Sequence, residues 1–134
     1  MNQEFKNCVM ELLNSQKRIL VLDKDNRIAS VVDEVSCYGD YDIQTIYDPN
    51  SVYDKAKSFK PNLIILDYLL LDGDCALICQ DFKEDPKLKS VPIIIVTSYK
   101  TKKASADFYK CDALFIKPLD MEVLASRMSY LMAS

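Results

Sequence analysis

The chain has 134 residues, 49% of them apolar and 28% charged, with a formal net charge of −3 and a pI near 4.9. That length makes one domain, able to bury roughly 68% of the surface its unfolded form exposes, and the acidic balance argues against non-specific nucleic-acid binding. There is no histidine, and the two glycines are Gly39 and Gly73; these absences exclude a Ser-His-Asp triad, a His-based zinc site, a histidine phosphocarrier, a P-loop and a dinucleotide-binding fingerprint.

Residues 2–15 place Phe5, Cys8, Val9, Leu12 and Leu13 at helical spacing and predict an amphipathic helix. No apolar run approaches a membrane span, and the N-terminus has no signal-peptide core, so a cytoplasmic protein is expected. A strand over 18–23 follows, then a helix at about 26–38 closed by Gly39. The half-polar strand Ile43 to Tyr47 precedes a helix from about 51 to 59, which Pro61 ends. Asn62 to Asp67 is a short apolar run that reads as a strand buried on both faces. A helix at 74–84, a strand at 92–97, a polar helix near 101–110, a strand at 112–116 and a last helix at 121–132 complete the chain. Strands alternating with helices predict parallel βαβ units with right-handed crossovers. The least apolar strand, the second, belongs at an edge. The predicted fold is therefore α/β and flavodoxin-like, a doubly wound sheet of order 2-1-3-4-5 with an extra N-terminal helix. The domain division is 1–16 for that helix and 17–134 for the sheet domain.

Four of the apolar runs end in polar groups. The strand ending at Leu22 delivers Asp23, the run ending at Leu66 delivers Asp67, Val96 leads to Thr97 and Ser98, and Ile116 leads to Lys117 and Pro118. Open α/β sheets keep their ligands at the C-terminal ends of their strands. Two acids, a hydroxyl and an amine thus converge on one sheet edge. The five cysteines, Cys8, Cys37, Cys75, Cys79 and Cys111, have no short ligand-like spacing. Cys75 and Cys79 lie four apart on a helix face; a metal or redox pair is one reading, and small apolar filler in a reducing compartment is the reading the spacing favours.

In order along the chain, Leu22-Asp23-Lys24-Asp25, Leu66-Asp67, Asp72-Gly73-Asp74, Val96-Thr97-Ser98 and Ile116-Lys117-Pro118 resemble the landmarks of a response-regulator receiver domain of two-component signalling. The resemblance covers about residues 17–133. It implies a CheY-like signalling module and not an enzyme. Asp67 would be the phosphoacceptor, Thr97 the hydroxyl that bonds the phosphoryl group, and Lys117 the lysine that pairs with both, with a cis Lys117-Pro118 bond. It also implies magnesium, held by Asp23, Asp67 and the backbone carbonyl of Leu69, with Asp25 a weaker candidate. The implied partners are a histidine kinase or histidine phosphotransfer protein and an unidentified downstream protein, with neither nucleic acid nor membrane. The switching face would comprise the helix near 101–110, the last strand and the last helix.

Four positions depart from that family. Lys24 stands where the family's second acid binds metal directly, Leu71 replaces a usual proline, and Cys75 a common glycine. Leu114 occupies the aromatic switch position, with Phe115 one residue later on the opposite face of the strand. Two carboxylates about 5 Å apart at an effective dielectric of 20 repel by roughly 3 kcal/mol, so the pocket requires a cation. Either the Lys24 ammonium supplies it in place of metal, or Lys24 points to solvent and Asp23 with Asp25 hold a weakened magnesium site. The corresponding functions are, respectively, a phosphorylation-independent pseudo-receiver, a binding module locked by Lys24, and a phosphorylated receiver. A flavin carrier of the same fold would need a phosphate-cradling loop where the chain has Asp23-Lys24-Asp25. The apolar face of the first helix either packs on its own domain, forms a homodimer or continues from an upstream segment, the first two being favoured.

Overall fold

Strand β1 (Lys17–Asp23) lies between β2 (Tyr41–Ile46) and β3 (Leu63–Asp67) in a parallel sheet that β4 (Ile93–Thr97) and β5 (Ala113–Ile116) complete in the order 2-1-3-4-5. The computed structural model describes residues 16–23, 35–67, 74–98 and 109–133. The expected N-terminal helix and most of the helices at 26–38 and 101–110 lie outside those residues. Every residue of β3 and β4 is buried, whereas β2 is half-buried along its length, as expected for an edge strand.

Alternation divides the sheet's side chains between two cores. On one face Leu20, Leu22, Ile64, Leu66, Ile93 and Ile95 pack against helix α1 (Val52–Phe59) through Val52 and Ala56, and against helix α2 (Asp74–Glu84) through Cys75, Cys79 and Phe82. On the other, Ile19, Val21, Leu63, Ile65, Ile94 and Val96 meet helix α3 (Met121–Ala133) through Leu124, Met128 and Met132. The four-residue spacing of those three side chains puts them on one helix stripe. Each fully buried Leu or Ile contributes about 1.5–3 kcal/mol from burial alone, an upper bound because the unfolded chain is not fully extended.

The connections show where local chemistry decides. Asp48 caps a 3-10 turn at Pro49–Ser51, its Oδ1 accepting from the Asn50 amide at 3.0 Å and its Oδ2 from the Ser51 hydroxyl at 3.1 Å. Helix α1 ends at Phe59, where the sequence placed its end. Lys60 adopts the left-handed conformation, φ 55°, and its amide donates to the Ala56 carbonyl at 3.0 Å. Gly39 follows a 3-10 turn at Ser36–Tyr38, but its backbone is extended and not left-handed. Its need for glycine is one of space, since a Cβ there would lie 2.6 Å from the Tyr41 ring. At the opposite end of the sheet from the acids, the Asn62 side-chain oxygen accepts from the Arg18 backbone amide at 2.8 Å while the Asn62 backbone amide donates to the Arg18 carbonyl at 2.7 Å. That pair joins β1 to the start of β3.

Candidate functional site

The four strand-end residues meet at one edge. Asp23 and Asp67 are register partners across β1 and β3, and adjacent strands run about 4.8 Å apart. Both belong to the alternation class that faces α3, so the two carboxylates leave the same face. Asp23 is 3% exposed and Asp67 4% exposed, which removes most of the water that would separate their charges.

Lys117 answers that charge. Its Nζ donates to Asp67 Oδ1 at 2.9 Å and to Oδ2 at 3.0 Å, a charge-assisted contact to both carboxylate oxygens. The lysine reaches there because β5 ends at Ile116 and its own amide donates to the Thr97 carbonyl at 2.7 Å. Thr97 itself is completely buried at the end of β4, and Ser98 beyond it is exposed. The Lys117-Pro118 peptide is cis. Sequence reasoning identified Lys117 but not the amide bond that holds it beside Thr97. That bond follows from the ladder continuing one residue past β5, which no composition signal marks.

The remaining sequence candidates, Lys24, Asp25, Leu69 and Leu71, lie outside the described residues. Asp23 and Asp67 are hard oxygen donors side by side, and such a set suits a cation like magnesium that accepts one or two carboxylates and keeps several waters. The donors therefore fit the ion. Among the described residues no group of three or more Asp, Glu or Cys side chains is placed to hold a metal ion.

The departures at Cys75 and Leu114 have visible physical consequences. Cys75 and Cys79 are wholly buried in the core over α2, where they act as small packing residues. Burial pushes the Cys111 thiol up to about 12, further raised by nearby Cys79. Leu114 packs on the core that contains α1 and α2, beside the buried Tyr109, whereas Phe115 packs on the α3 side. The aromatic ring is thus on the wrong face to replace the side chain that Leu114 displaces.

Comparison with known proteins agrees with this geometry. The sequence pattern of the response regulator receiver domain matches residues 19–129, and the chain belongs to that family. It is 32% identical over 113 residues to the response regulator ArlR of Staphylococcus aureus strain Mu50, a match covering 82% of this chain and 50% of that protein. The chain thus spans about half the length of the curated relatives it matches. Among solved structures it superposes on the signal receiver domain of a DNA-binding response regulator from Colwellia psychrerythraea 34H with a TM-score of 0.76 and 22% identity, covering 89% of this chain and 100% of that one. The Mn(2+)-bound form of the response regulator Rcp1 gives a TM-score of 0.63 at 20% identity, covering 87% and 92%. These two likenesses concern the fold. Among the described residues no helix is long and apolar enough to cross a membrane.

Proposed function

We propose that this receiver domain accepts a phosphoryl group on Asp67 from a histidine kinase or a histidine phosphotransfer protein and signals by contact with a downstream protein. The observation that carries this reading is the two-oxygen contact of Lys117 with Asp67, made beside Asp23 and Thr97 at the ends of four adjacent strands. In the transfer, an Asp67 carboxylate oxygen forms the new P–O bond as the P–N bond to the donor imidazole breaks. The electron pair leaves on the imidazole nitrogen, which then takes a proton.

Phosphoryl transfer asks the protein for position and charge compensation more than for covalent chemistry. Lys117 holds the carboxylate in place beforehand, and its ammonium can give up one carboxylate oxygen for a phosphoryl oxygen. The Thr97 hydroxyl donates to another. Asp23, Asp67 and the Leu69 carbonyl, with Asp25 a weaker candidate, would hold a magnesium ion, which would supply the additional positive charge that the transferring group requires. Movement of Thr97 toward the phosphoryl group would then bias a two-state equilibrium on the face around β5 and α3. Leu114 removes the aromatic half of that coupling and blunts it.

Incubation with acetyl phosphate and magnesium, followed by intact mass, tests the proposal. A gain of one phosphoryl group that Asp67→Asn abolishes supports it, and no gain under any metal condition refutes it. The second reading, a pseudo-receiver recognised without phosphate, is favoured by Lys24, a cation directly after Asp23 in the sequence. In that reading the Lys24 ammonium takes the place of the metal and the domain binds its partner in one fixed state.

A further inference from the structure

We propose that the groove between α1 and α2 docks a basic amphipathic helix of a partner protein. The groove has a volume of about 300 Å³, with Val52 and Phe82 as its floor, Tyr53 and Ile78 as its walls and Leu77 at its lip. Leu77, in the first half of α2, is 59% exposed, an apolar side chain open to solvent beside the groove. The groove's size is at the bottom of the roughly 300–1,000 Å³ range of small-molecule sites, and Asn50 and Asp81 supply polar side chains at its exposed rim. Its shape, a trough between two helices, suits aliphatic anchors projecting from a third helix.

Charge selects the occupant. The groove and its continuation toward Pro86 are lined by Asp81, Glu84 and Asp85, with neither lysine nor arginine in the lining. Asp85 is buried and committed to Tyr53 and to Lys57, 3.5 Å away. Asp81 and Glu84 are exposed, which leaves an acidic lip beside the apolar floor. A partner with leucine-type anchors flanked by lysine or arginine is complementary to that lip. A second copy of this chain is a poorer match, because it carries the same net charge of −3 to an acidic lip. Nor do residues 1–15 supply the charge, since they hold Glu4 and Glu11 against Lys6. The inference goes beyond the proposed phosphoryl transfer and does not depend on it, as none of these residues belongs to the Asp67 site.

The test uses the full chain and a synthetic helical peptide with leucine on one face and lysine beside it, titrated while amide chemical shifts are followed. The expected result is saturable binding with shifts centred on Tyr53, Leu77, Ile78 and Phe82. Leu77→Asp should weaken it roughly tenfold, the loss of about one apolar anchor, and Asp81→Lys about threefold. Both positions are exposed, and dispersed amide spectra of the variants verify that they fold. Shifts centred elsewhere, indifference to Leu77→Asp, or equal binding of a peptide with glutamate in place of lysine would overturn the proposal. So would a dimer in sedimentation that Leu77→Asp dissolves, or proton contacts from Phe5 or Leu12 of the same chain to Leu77.

Discussion

Asp67 and Lys117 form an ion pair of the site, and its energetics depend on where each charge sits. Asp67 is almost wholly buried, while about a quarter of the lysine side chain remains in solvent, 27% by relative exposure. Removing the ammonium would leave a desolvated carboxylate beside Asp23, which costs more than an exposed pair would. Lys24 follows Asp23 directly in the sequence and, in the proposed function, sets the metal affinity of the Asp23 and Asp67 pair. Magnesium should bind more weakly than about millimolar in the native sequence and more tightly in Lys24→Asp, which restores an oxygen donor. Titration followed by NMR checks it, and unchanged affinity would remove Lys24 as a competitor.

At the level of elements, the connection between α1 and α2 is a polar brace that periodicity could not reveal. The Tyr53 hydroxyl donates to Asp85, Lys57 lies 3.5 Å from the same carboxylate and 4.6 Å from the Tyr53 ring centre, and the Asp85 Oδ1 accepts from the Lys87 amide at 2.7 Å. Tyr53→Phe keeps the ring packing against Phe82 but leaves a buried carboxylate short of one donor, so it should cost about 1–3 kcal/mol in urea denaturation. A neutral result would show that water replaces the hydroxyl. The partners stand 32 residues apart, and no spacing rule links a tyrosine on one helix to an aspartate after another. The strands were legible for the opposite reason. Leu63 to Leu66 and Ile93 to Val96 are uninterrupted apolar runs whose only stable place is between two helical layers. Gly39 was legible as punctuation but not in mechanism, because its demand for a missing side chain comes from Tyr41 and not from its own dihedrals.

Across the whole molecule, the sheet's two cores turn sequence order into a single reactive edge. The site residues are strand ends, so their spacing is set by the ladder and not by loop conformation. That is why Asp23, Asp67, Thr97 and Lys117 could be placed together from sequence, whereas the surface that receives a partner could not. α3 illustrates how closely burial partitions the energetics. Leu124→Ala opens a cavity at a completely buried position and should cost about 2–5 kcal/mol, while Val123→Ala, at 52% exposure, should stay within about 0.5 kcal/mol. Equal effects in thermal unfolding would contradict the assignment of that helix's inner face. One further consequence comes from the Lys117 amide, fastened to the Thr97 carbonyl at 2.7 Å. With its root pinned to the neighbouring strand, the ammonium can exchange an oxygen of Asp67 for another acceptor by turning its own methylene bonds. A change of partner at this edge therefore requires no rearrangement of the main chain.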